Sequence, residues 1–74
     1  MLRDGWWQIS FPKATYAFEM KNDTVIDSAP YGKFMLGWNS SDVISFAVRN
    51  KADLYDPDNN EIYRNGESVI RFFQ

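Results

Sequence analysis

Apolar and polar residues alternate early in the chain, the two-residue period of a strand with one buried face. Trp7, Ile9 and Phe11 fall on one side, Gln8 and Ser10 on the other. Pro12 has no amide hydrogen to give to a ladder, so this strand ends, bends or turns there. A second alternation sets Tyr16, Phe18 and Met20 against Ala17, Glu19 and Lys21. Asn22-Asp23 then offers two residues that tolerate the left-handed backbone of a tight hairpin turn. Thr24-Val25-Ile26 is β-branched throughout and makes the return strand. The pattern predicts a hairpin over 15–27. Trp6 and Trp7 are adjacent and cannot share a face of one strand. One indole is expected in the core, the other on the opposite face, at an edge or in a contact.

The pattern changes at Ala29-Pro30-Tyr31-Gly32, which breaks the strand. Residues 33–38 form a short apolar connector holding Phe34, Met35, Leu36 and Trp38 around Gly37. Asn39-Ser40-Ser41-Asp42 reads as a helix start, with hydroxyls as cap candidates and an acid in the first turn. Val43, Phe46 and Ala47 share a helical face, and Arg49 and Lys51 stand at the end where cations are favoured. The spacing predicts a helix over 41–50. Ile44, Phe46 and Val48 also alternate with Ser45, Ala47 and Arg49, so a strand over 43–49 is the alternative. Strands are expected over 52–55, 61–63 and 68–73, separated by Asp56-Pro57-Asp58-Asn59-Asn60 and Arg64-Asn65-Gly66-Glu67. The fold class is therefore α+β: a small antiparallel sheet with one helix packed on one face and Trp38 buried before the helix cap. The alternative is a small all-β barrel.

Size sharpens this picture. The 74 residues make a single domain, 1–74, near the lower limit for independent folding. With no Cys and no His, disulfides and thiolate or imidazole metal sites are unavailable as staples. The core has to do the work, and an aromatic content of 18% is the means. Oligomerisation is another way to gain burial, and the sequence leaves the oligomeric state open. The start at Met1, without an apolar run of signal-peptide length or a membrane-spanning stretch, gives the expectation of a whole cytoplasmic gene product with no membrane partner.

Charge and residue chemistry narrow the function. A net charge of −2 with dispersed Lys and Arg argues against nucleic acid as the main partner. Absence of His and Cys removes the commonest general base, metal ligand and nucleophile, so no enzyme and no cofactor are expected. Asp56-x-Asp58-x-Asn60 with Glu67 resembles the oxygen positions of an EF-hand calcium loop. However, Glu61 stands where the loop wants Gly, and an ordinary acidic turn explains the same residues. The aromatic connector is the stronger candidate. Tyr31, Lys33 and Phe34, with one of the paired indoles (Trp6), have the composition of a protein-binding patch. Tyr31 is expected to be exposed, between Pro30 and Gly32.

The run Tyr16-Ala17-Phe18-Glu19-Met20-Lys21-Asn22-Asp23-Thr24-Val25-Ile26-Asp27-Ser28-Ala29-Pro30, followed by Gly37-Trp38 and a short helix, resembles small uncharacterised proteins encoded by bacteriophages and prophages. The likeness spans about residues 12–52 and departs where Asp23 replaces the turn Gly. It implies a setting and no site residues: a non-catalytic binder that contacts a host protein in the host cytoplasm, inhibition of a host defence system being one form. A single-stranded nucleic-acid-binding module and a structural or assembly protein are the alternatives.

Overall fold

A computed structural model describes residues 1–70. They form a six-stranded antiparallel sheet, one 3-10 helix and one α-helix. The strands are β1 (Gly5–Phe11), β2 (Ala14–Lys21), β3 (Thr24–Ser28), β4 (Asp53–Asp56), β5 (Glu61–Arg64) and β6 (Glu67–Ile70). Their order across the sheet is β3-β2-β1-β4-β5-β6. The chain after β3 passes through η1 (Pro30–Met35) and α1 (Ser40–Asn50) before β4 joins β1 on its free side. The helix contributes to a core on one face of an open sheet, and residues 43–49 are helical, not a barrel strand.

The predicted hairpin is present. Asn22 and Asp23 have φ of 51° and 61°, the left-handed pair that a two-residue turn between right-twisted strands requires. Asn65 and Gly66 make the equivalent turn between β5 and β6. Trp7 pairs with Phe18, and Ile9 pairs with both Tyr16 and Leu54, so these side chains share the helix-side face. Trp7, Ile9, Phe18, Met20, Val25 and Leu54 are buried there with Met35, Val43 and Ala47. Trp6 lies on the opposite face at 41% exposure, while Trp7 is at 0%, which resolves the paired indoles.

The helix starts one residue earlier than the spacing predicts, and its cap is an amide, not a hydroxyl. Asn39 Oδ1 accepts from the Asp42 amide at 2.9 Å, and Asp42 Oδ2 accepts from the Asn39 amide at 3.3 Å. This reciprocal box satisfies donors that the first turn otherwise leaves open. The Ser40 hydroxyl serves a different purpose. It accepts from the Leu2 amide at 2.9 Å, holding Leu2 in the core, while the Ser40 amide donates to Asp23 Oδ1 at 3.1 Å. The helix N-terminus is thereby tied to both the hairpin tip and the start of the chain.

Three further expectations are corrected. The apolar connector is a 3-10 helix over its first part, because Pro30 fixes the opening turn and the Gly32 amide bonds to Ala29 O at 2.8 Å. The strand expected over 52–55 begins at Asp53, since Ala52 turns inward to the core and its amide bonds Ala47 O. The last strand begins at Glu67, earlier than 68; its expected continuation to Phe73 lies outside the described residues.

Candidate binding surface

The edge of the sheet at β3 is closed by the connector. Val25 donates to Trp38 O at 2.8 Å and accepts from the Gly37 amide at 2.9 Å, a two-bond bridge that pins residues 37–38 alongside the strand. Gly37 adopts φ of 87°, a conformation open to Gly at little cost, to bring its amide into that bridge. At the other end of the segment, a Cβ on Gly32 would come within 3.3 Å of the Met35 methyl and 3.5 Å of Tyr16 Cβ. Met35 itself is fully buried. The segment is thus fastened underneath at Gly32, Met35 and Gly37.

Its outer side is apolar. Tyr31 is 81% exposed, Phe34 48% and Leu36 46%, with Lys33 exposed among them. Phe34 belongs to a cluster of rings with Phe11, Tyr16, Trp38 and Phe46. Its ring lies 6.2 Å from Tyr16, 5.6 Å from Trp38 and 5.6 Å from Phe46, in edge-on or tilted geometry. Phe46 further meets Trp38 at 5.3 Å and Phe11 at 5.8 Å. Such edge-to-face contacts hold rings in place without sealing them from water. Trp38, expected to be buried, is half-buried at this margin: its backbone faces β3 while its ring packs sideways on Phe34 and Phe46.

The structure brings Tyr31, Lys33 and Phe34 onto one segment but leaves Trp6 apart from them. Phe34 packs on Tyr16, whose ring is on the helix side of the sheet, whereas Trp6 faces the other way. Trp6 sits opposite Glu19, and Glu19 opposite Asp27, so an acidic row adjoins it.

The acidic loop after β4 is a turn built on a buried carboxylate. Asp56 is 1% exposed; its Oδ1 accepts from the Asp58 and Asn59 amides and its Oδ2 from the Asn59 side chain. Those bonds use the side chain to shape the β4–β5 connection. Asp58 is exposed, Asn60 has φ of 52°, and the Glu67 side chain lies outside the described part. Among the described residues, no three acids converge as a metal-ligand group.

Sequence reasoning missed the groove beside α1, lined by Trp38, Asp42, Ser45 and Arg49. A helical wheel carries part of that signal, because Asp42, Ser45 and Arg49 are spaced by three and four residues and so share one outward stripe. Among the described residues, no helix is long and apolar enough to cross a membrane. No family model, no curated protein and no solved structure matches this chain.

Proposed function

We propose that this chain is a small non-catalytic binding protein that acts by contact between residues 30–38 and a protein partner. The observation that carries the reading is the combination of a fastened segment with an apolar outer side: Tyr31, Phe34 and Leu36 exposed above buried Met35 and Gly32. Large apolar groups on a fixed backbone lose little freedom on binding, which is the economy of rigid aromatic anchors at interfaces. Folding does not demand this exposure, since Trp7, Ile9, Phe18 and Leu54 already fill the core. The residue inventory supports binding over catalysis, because the chain lacks His and Cys and its buried Asp56 carboxylate is engaged in shaping a turn. The likeness of the hairpin and Pro step to phage-encoded proteins makes a host protein the expected partner. Nucleic acid is less favoured, because the exposed indole of Trp6 adjoins Glu19 and Asp27, which repel phosphates.

The test is retention of cellular protein on the immobilised chain, identified by mass spectrometry, for wild type, Tyr31→Ala and Trp6→Ala. A stoichiometric protein held by wild type and Trp6→Ala, and lost by folded Tyr31→Ala, is the expected result. Absence of any such protein, with labelled oligothymidylate bound at moderate salt, would transfer the reading to single-stranded nucleic acid.

A further inference from the structure

The groove along α1 has a volume of about 440 Å³ and two unlike ends. At the N-terminal end, Asp42 has its carboxylate tied to the Asn39 amide in the capping box. At the other end, seven residues or about 10 Å further along the helix axis, stands Arg49. Arg49 is exposed and has no ion pair among the described residues, whereas Arg3 pairs with Glu61 and Arg64 with Asp53. The Ser45 hydroxyl and the Trp38 indole line the space between. Trp38 is also the ring that touches Phe34, so the groove continues the apolar surface of the 3-10 segment.

The charges on this side are mixed, with the acid at one end of the groove and the cation at the other. Within η1 and α1 the Lys, Arg, Asp and Glu residues are Lys33, Asp42 and Arg49. Asp42 is an exposed acid whose Oδ2 accepts from the Asn39 amide, and it stands two helical turns from Arg49; both cations are exposed without an ion pair among the described residues. A guanidinium forks onto a carboxylate with two parallel hydrogen bonds, and Arg and Trp are the side chains most often found at the energetic centre of an interface. Resting on the reading that this surface binds a protein, we infer that the groove receives an acidic segment of the partner. An Asp or Glu of that segment meets Arg49, and a large apolar residue beside it packs on Trp38.

The experiment selects random short peptides displayed against the immobilised full chain. Synthetic copies of the enriched peptides are then measured by fluorescence polarisation on wild type, Arg49→Glu, Arg49→Gln and Tyr31→Ala. The expected result is enrichment of Asp or Glu next to Leu, Phe or Trp. Arg49→Glu should then weaken binding about thirtyfold, the effect of losing a central interface contact, and Arg49→Gln by less, with the melting temperature lowered by a few degrees at most, more for the acid because it replaces a cation at the helix C-terminus. Arg49 is solvent-exposed, so both variants keep the fold. Acidic peptides whose affinity ignores Arg49→Glu would overturn the groove assignment, and loss of binding in Tyr31→Ala would show that the wider surface still stands. Enrichment of peptides without acids, or no enrichment, also overturns it. So does oligothymidylate binding that is lost in Arg49→Glu while acidic peptides bind both proteins alike.

Discussion

Two groups of aromatic residues occupy the same side of the sheet and have opposite relations to water. Trp7 and Phe18 pair across β1 and β2 at 0% exposure, in one buried cluster with the helix residues Val43 and Ala47. A few residues along the same strands, Phe11 and Tyr16 are only half-buried, and they join Phe34, Trp38 and Phe46 in a partly open cluster. Strand pairing is equally regular in both places, so register does not separate them. What differs is the covering layer. The Trp7 indole donates to Arg3 O and meets Tyr63 of β5 edge-on, inside the buried cluster that includes Val43 and Ala47, whereas Phe11 meets Phe46 of α1 and Tyr16 meets Phe34 of η1. The same aromatic chemistry thus makes a sealed core in one place and an accessible surface in the other.

The largest effect expected from this difference is at the core. Trp7→Ala should cost about 3–5 kcal/mol, the range for a large buried aromatic replaced by Ala. Against a total stability of ~5–15 kcal/mol, that leaves a small domain largely unfolded at ambient temperature. Chemical denaturation followed by far-ultraviolet circular dichroism measures it. A loss below about 1 kcal/mol, the level of an ordinary surface change, would erase the distinction between the two regions.

Next in size is the far flank of α1, away from the open cluster. Gly66 has φ of 85°, and a Cβ there would collide with the Val48 side chain and lie 3.3 Å from Ile44 O. Gly66→Ala combines left-handed strain of about 1 kcal/mol with overpacking of about 1–3 kcal/mol. Val48→Ala, at a half-exposed position, should recover part of that loss in the double variant because it removes the obstructing methyls. Purely additive losses in a denaturation cycle would mean that the β5–β6 turn does not abut the helix at Val48.

Trp38→Ala tests the open cluster directly. Its ring contacts Phe34 and Phe46, each pair contributing ~0.5–1.5 kcal/mol, so about 1–3 kcal/mol is expected from those contacts, in addition to the apolar area the half-buried ring covers. The result should fall between those for Trp7 and Tyr31. A cost as large as that of Trp7→Ala would make the cluster a second core.

The sequence carried much of this fold. Alternation and the Asn22-Asp23 turn located the hairpin, because both signals act between neighbours in the chain. The Ser40–Asn50 helix was legible from its capping run, although the cap itself is Asn39. What was not legible depends on distant contacts. Nothing local says that β4 pairs with β1, or that Val25 reaches Gly37 and Trp38 and so turns the indole sideways. Leu2 is buried in the core, with its amide bonded to the Ser40 hydroxyl thirty-eight residues away. At the candidate surface, the Pro-Tyr-Gly order was enough to place Tyr31 outside. The groove was hidden, since Trp38 and Arg49 converge only after the chain has turned between η1 and α1.

Tyr31→Ala should have the smallest effect on folding and the clearest effect on binding. At 81% exposure the ring has given up little contact with water, so its removal forgoes little burial. Changes at such positions stay within about ±0.5 kcal/mol. The segment beneath remains held by Met35, Gly32 and the bridge to Val25, none of which uses the Tyr31 side chain. A partner that seats on this ring would be affected quite differently, with about 2 kcal/mol or more of binding lost, as for a central interface aromatic. Thermal denaturation and partner affinity measured on one preparation separate the two effects. An unchanged melting temperature with affinity reduced about thirtyfold is the expected pair of results. If Tyr31→Ala lowers stability as much as Trp38→Ala does, the ring is part of the packing and the contrast between core and surface is drawn at the wrong residue. If it changes neither stability nor affinity, the partner binds elsewhere, and the acidic row beside Trp6 on the opposite face becomes the next surface to probe.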